Sequence, residues 1–150
     1  MGQYYKIVNL DKKEFLEPHD FNDGSKLMEF GLSGMGVMSG LAILLADGNG
    51  LGGGDLGSEN PIIGSWKGDR IVIAGDYSEK KVKGTKENVY HYADTHFKNV
   101  SAETLAALLD DSYYKKETEA RFKGSSLILA VENYKKALSI QKKNKNKVKV

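Results

Sequence analysis

The sequence predicts a single compact α+β domain, with a mainly antiparallel sheet packed against about three helices. Three observations carry that expectation. The chain has 150 residues, 40% of them hydrophobic and 28% charged, which suffices to bury one core and is unlike a disordered composition. Short runs of aromatic and β-branched residues, bounded by Asn, Asp or Gly, read as strands. Helical periodicity falls in the middle and the last third, without the strict strand–helix alternation of a doubly wound fold.

The elements follow in order. Residues 3–9 (QYYKIVN) read as a strand. Asn9 to Lys13 makes a turn, and Glu14–Glu17 pairs back as a short strand ended by Pro18. His19 to Gly24 is a polar turn, because Asn, Asp and Gly tolerate left-handed backbone. Residues 25–30 fit either a strand or one helical turn. Val37 to Ala46 is a helix apolar nearly all round, with Met38, Leu41, Ala42 and Leu45 on one face. Asp47 to Gly57 is a glycine-dense loop, and 10 of the 17 glycines lie within residues 31–57. Arg70 to Ala74 reads as a short central strand, 78–88 as a charged loop and Val89 to Ala93 as another strand. Ser101 is a good N-cap, with Glu103 in the first turn, for a helix whose stripe is Leu105, Leu108, Leu109 and Tyr113. After a polar stretch ending at Gly124, a last helix spans about 126–141. Its inner face is Leu127, Val131, Tyr134 and Leu138, flanked by Ala130 and Ala137.

Composition narrows the function classes. There is no cysteine, which excludes a disulfide scaffold, a thiolate metal site and a cysteine nucleophile and fits a reducing compartment. No basic-then-apolar leader opens the chain, and Lys6 stands where a myristoylation signal wants Ser or Thr. The longest apolar stretch, 35–46, is too short to span a bilayer, so the expectation is a cytoplasmic protein with no membrane partner. Residues 135–150 hold seven lysines and no acid, while residues 1–134 hold 15 basic and 20 acidic side chains. A domain over 1–141 thus carries a basic tail at 142–150. Lys142, Lys143, Lys145, Lys147 and Lys149 are candidates for neutralising phosphates of RNA or DNA, against the plainer reading of a solvated end.

Each motif has a chemical and a structural reading. Gly34-Met-Gly36 to Gly40 looks like a phosphate-binding turn at a helix start, yet it misses the dinucleotide fingerprint and has no Walker lysine. Asp47 and Asn49 open like a calcium loop, but Leu51 and Ser58 stand where ligands belong. Asp69 and Asp76 bracket a strand and lie about 20 Å apart at about 3.3 Å per residue, too far to act as an acid–base pair. Arg70 beside Asp69 suggests an ion pair, and Trp66 offers a flat apolar wall or a core residue. His91 and His96 face opposite sides of an extended strand, and His19 with Asp20 and Asp23 provides further ligands or a base only if the fold gathers them. Tyr4, Tyr5, Tyr90 and Tyr92 lie on two expected strands, where stacking of bases competes with core packing.

The opening GQYYKIVNLDKKE, then Asp23 to Glu29, then Trp66-x-Gly-Asp69-Arg-Ile-Val-Ile-Ala-Gly-Asp76-Tyr77, resemble a family of small uncharacterised microbial and viral proteins. The resemblance covers about the first half of the chain. It implies a compact intracellular domain and brings no activity and no catalytic residues.

The reading that follows is a small soluble binding or regulatory protein, non-catalytic and without a cofactor. Its ligand site is placed where loop 47–57 meets strand 66–77, with Asp55, Trp66, Asp69, Arg70 and Asp76 as contacts. Arg70 would hold a small anionic ligand there, with a protein partner as the alternative. The competing readings are a nucleic-acid-associated protein using the lysine-rich end, and a metal-dependent hydrolase using His and Asp residues.

Overall fold

The computed structural model describes residues 2–148, with side chains as far as Asn146. Four strands and six α-helices follow one another as β1 (Tyr5–Asn9), β2 (Glu14–Leu16), α1 (Leu27–Gly31), α2 (Val37–Leu45), β3 (Ile71–Gly75), α3 (Val89–His96), β4 (Lys98–Asn99), α4 (Ser101–Leu109), α5 (Ser112–Lys123) and α6 (Ile128–Val148). A 3-10 turn at Pro18–Phe21 follows β2.

The sheet order is β3-β1-β2-β4. β1 pairs antiparallel with β2 and β3, while β2 pairs parallel with β4. The sheet is therefore mixed, not mainly antiparallel, and the helices are twice as many as expected. The parallel partner, β4, is a two-residue segment that follows directly on α3.

The hairpin forms where the sequence places it. The buried Asn9 accepts from the amides of Asp11 and Lys12 through Oδ1 (2.9 and 2.8 Å), closing an Asx turn that puts Lys13 at φ 57°. Strand alternation sends Ile7 and Leu16 to one face and Val8 and Phe15 to the other. The first face meets the main core of Phe21, Phe30, Leu44, Trp66, Leu105 and Phe122. The second is covered by α3 through Ala93, Val89 and Tyr90, and by Phe97 just after it.

That second face explains why Val89–Ala93 is a helix and not a strand. Asn88 caps it by accepting from the His91 amide (3.1 Å), and the sheet needs an apolar cover there. Lys6, 4% exposed, projects beneath α3 with Nζ 3.6 Å from the Tyr90 ring centre, 3.4 Å from Glu17 and 3.5 Å from Asp94. Tyr90 and Tyr92 are thus not on a sheet face. Tyr90 packs under the Lys6 ammonium, and Tyr92 stacks on His96 at 4.1 Å.

β3 is an edge strand, not a central one, with Ile73 41% exposed. In α2 the buried positions are Val37, Gly40 and Leu44, while Ala42 and Leu45 are exposed. Gly40 is required there, because a Cβ would meet Thr104 Cγ2 at 3.1 Å and the Phe21 ring at 3.3 Å. The N-cap of α4 is Val100, not Ser101, and no side chain caps it; Asn99, just before it, accepts from the Ser101 amide through Oδ1 (2.9 Å), while Ser101 Oγ accepts from the Glu17 amide (3.0 Å). The stripe assigned to α4 ends at Leu109, and Tyr113 stands exposed on α5. The stretch 110–124 is this second helix, with Tyr114, Thr118 and Phe122 buried at successive turns. On α6 the most buried positions are Ala130, Asn133, Tyr134, Ala137 and Gln141, so two polar side chains share the inner face.

Candidate functional site

The residues expected to form a ligand site do not converge on one. Trp66 is fully buried in the main core and donates Nε1 to Glu14 Oε1 at 2.8 Å, so it offers no wall to a ligand. Asp69 accepts from Asn9 Nδ2 (2.8 Å) and Lys12 Nζ (2.7 Å), and these hydrogen bonds hold its carboxyl below the usual range. Arg70 pairs with Asp11, not with Asp69: Nε and Nη2 lie 2.9 and 2.8 Å from its Oδ1, and the Arg70 amide donates to its Oδ2. Asp76 accepts from the Tyr4 amide (3.0 Å). Asp55 accepts from the Gly50 amide (2.8 Å) and so folds the glycine loop on itself. Inside that loop Asn49 donates to the carbonyls of Leu56 and Ser58, and Asp47 holds Lys67 (2.9 Å) where a calcium ligand would be needed.

The glycine turn before α2 has its anion already. Asp23 Oδ2 accepts from the Val37 amide at 2.6 Å, and Gly36 has no Cβ because the Asp23 carboxylate fills that space. Burial raises the Asp23 carboxyl, and the Ser33 and Val37 bonds work against it. A helix N-terminus that attracts phosphate in other proteins is neutralised here from within the chain.

The histidines separate as well. His91 and His96 are exposed on α3, and His19 lies on the 3-10 turn near Tyr4. Among the described residues, no three His, Asp or Glu side chains gather closely enough to hold a metal. One arrangement does have the order of a nucleophilic triad: Ser25 Oγ lies 3.0 Å from His19 Nε2, and His19 Nδ1 lies 4.0 Å from Glu17 Oε1. The second distance is too long for a hydrogen bond, and Ser25 is 2% exposed. The group ties the chain after the turn to β1, since Tyr5 donates its amide to the Ser25 carbonyl.

A different cleft, of about 240 Å³, opens between the 3-10 turn, the start of α4 and α6. Its lining includes Asp20, Asn99, Glu103, Glu132, Asn133 and Lys136. Asp20 is held in place at both its ends: Asn99 Nδ2 donates to its Oδ2 (2.9 Å), and Asn133 Nδ2 donates to its carbonyl (3.0 Å). Burial pushes the Asp20 carboxyl up to about 6, opposed by the Asn99 bond and reinforced by the nearby Glu17 charge. Glu103 Oε2 is buried with no hydrogen-bond partner. Lys98 Nζ stands 3.7 Å from it, close enough for attraction but too far to donate. The cleft thus brings together a buried carboxyl whose charge is disfavoured and a carboxylate oxygen that accepts no hydrogen bond.

Of these residues only Asp20 is weighed from sequence, and only as an accessory to His19. The cleft joins residues about 80 and 113 positions away from it, a meeting that local pattern does not encode. The one local hint is polar Asn133 on the inner face of an amphipathic helix.

The basic end is partly visible. α6 runs on to Val148, and Gln141 is its last described tether, donating to the Ala106 carbonyl (3.1 Å) and Asp110 (2.8 Å). Lys142, Lys143 and Lys145 follow it on exposed helix. Lys149 and the side chain of Lys147 lie outside the described residues.

Among the described residues, no helix is long and apolar enough to cross a membrane. Compared with models of protein families, with curated proteins and with solved structures, the chain finds no match in any of the three.

Proposed function

We propose that this is a small binding protein whose ligand, a small organic cation, seats in the cleft around Asp20. The observation that carries the reading is the Asp20 carboxyl, 7% exposed and raised to about 6, at a cleft it shares with Glu103, whose Oε2 accepts no hydrogen bond. The lining supplies three carboxylates (Asp20, Glu103 and Glu132) against the single cation Lys136. An ammonium or guanidinium group would donate to the carboxylates lining the cleft and relieve the cost of keeping the buried Asp20 charged. The volume is below the usual range of about 300–1,000 Å³ for drug-sized ligands, which favours a small one. The ligand class therefore changes from the anion expected at Arg70 to a cation.

The test is titration with methylguanidinium and with a short diamine, read by NMR at the side-chain amides of Asn99 and Asn133. Both amides should shift at ligand levels of about 10 mM or below, and Asp20→Asn should weaken binding about 10- to 100-fold. Affinity should also fall as pH drops below about 6, because Asp20 then takes up a proton. Amides that do not move, or that move equally in the Asn variant, would sink the reading.

A second reading is favoured by α6. The helix continues beyond Gln141 through the exposed Lys142, Lys143 and Lys145, a charged stretch that suits a nucleic-acid backbone. Removal of residues 142–150 should abolish RNA or DNA retention at low salt; equal retention by the shortened chain rejects it.

A further inference from the structure

We infer that β3 is the contact through which two copies of this chain associate, by antiparallel pairing about a two-fold axis through Ile73. β3 is the edge of the sheet, with β1 on one side. The bonds Leu10 N to Arg70 O and Asp76 N to Tyr4 O, both 2.9 Å, fix which cross-strand pairs are hydrogen-bonded. By the alternation of an antiparallel ladder, Val72 and Ala74 bond to β1, while Ile71, Ile73 and Gly75 turn their N–H and C=O groups outward. Among the described residues, the bond those outward groups make is Ser78 N to Gly75 O at 3.2 Å.

Free edges are normally guarded by Lys, Pro or a bulge. This one reads Ile-Val-Ile-Ala-Gly, and Ile73 is 41% exposed although its neighbour Ile7 across the ladder is fully buried. The strand is open from Ile71 to Ile73 and buried at Ala74 and Gly75, and its open apolar part is a template for another strand.

Charge selects the occupant. A two-fold axis through Ile73 sets Ile71 against Gly75 of the second copy, and one step further out it sets Arg70 against Asp76. The same pair recurs at the other end, because the two copies are related by symmetry. Arg70 is free to reach across: its side chain is 75% exposed, and Asp11 engages Nε and Nη2, leaving Nη1. Asp76 accepts from Tyr4 through Oδ1, leaving Oδ2. β3 is thus complementary to itself in sequence register as well as in backbone.

A strand pair is a small interface, so the dimer should be weak, with Kd about 10–100 µM. Sedimentation equilibrium of the full chain at low salt, from about 5 µM to 500 µM, should show monomer passing to dimer across that range. Ile73→Pro removes an outward N–H that β1 does not use, and it should give a folded monomer throughout. Ile73→Lys, which sets two ammonium groups face to face at the axis, should do the same. Arg70→Asp and Asp76→Arg should each weaken association at least 10-fold, and the two together should restore it. A wild-type chain that stays monomeric overturns the inference. So does a dimer that survives Ile73→Pro with native circular dichroism. A folded double variant as weak as the single ones overturns the register.

Discussion

The hairpin of β1 and β2 carries carboxylates at both of its ends, and the two ends treat them in opposite ways. At the turn, Asp69 sits between Asn9 and Lys12, and Asp11 between the Arg70 amide and guanidinium; both carboxyls are held below their usual range. At the open end, beyond Pro18, Asp20 is buried and pushed up to about 6. The turn carboxylates are stabilised by the fold and stabilise it in return. The fold works against the charge of Asp20, and such opposition is what binding sites tolerate.

The sharpest way to break this comparison is at Trp66, whose indole donates to Glu14 beside the turn. Trp66→Ala should cost about 3–5 kcal/mol in urea unfolding, and Trp66→Phe about 1–3 kcal/mol by leaving Glu14 Oε1 unpaired. A Trp66→Ala protein of native stability with a binding defect would return the ligand to that region.

Next in size is Asp20→Asn, where the sign is opposite. Burial pushes the folded carboxyl from its ordinary 3.8 up to about 6, so the native state holds the extra proton between those values. Stability from this group is present in full below about pH 4 and is lost as pH rises to about 6, a loss of roughly 2–3 kcal/mol. The Asn variant keeps the Asn99 bond, should be flat over that window, and should exceed the wild type at pH 7 by a similar margin. Chemical denaturation at pH 4, 6 and 7.5 measures it. A variant less stable at pH 7.5 would place Asp20 with the structural carboxylates and erase the contrast.

A smaller effect is expected at Asn9, whose side chain bonds Asp11, Lys12 and Asp69. Asn9→Ala should destabilise by about 1–2 kcal/mol. It should also shrink the acid limb of the pH profile, because the lowered carboxyl of Asp69 contributes stability above its unfolded value that disappears on acidification. The smallest change is Lys13→Gly. A lysine at φ 57° is strained where glycine is not, and the variant should gain up to about 1 kcal/mol. Differential scanning calorimetry resolves both.

How much of this the sequence disclosed depends on range. The hairpin, its end at Pro18, and helices α2 and α4 are legible because turn chemistry and periodicity are local. Val89-Tyr-His-Tyr misleads, since its residues suit a strand while the Asn88 cap and the bare second face of the sheet make it α3. α5 hides in a polar stretch, although Tyr114, Thr118 and Phe122 recur every fourth residue. Asp69, Arg70 and Asp76 attract notice as charged residues flanking a strand, and each proves to be answered by a partner in the hairpin or just before it. Asp20 draws less notice because its burial comes from β4 and α6, far along the chain.

The sheet order has a consequence for synthesis. β1 lies between β2, which follows within a few residues, and β3, which begins only at Ile71. While the chain emerges, the hairpin can close at once, but one side of β1 stays unzipped until some sixty further residues have left the ribosome, a delay of about 3–12 s. Ile7 and Val8 are exposed to company throughout that interval. A nascent chain halted before residue 70 should be the form of this protein that chaperones hold longest.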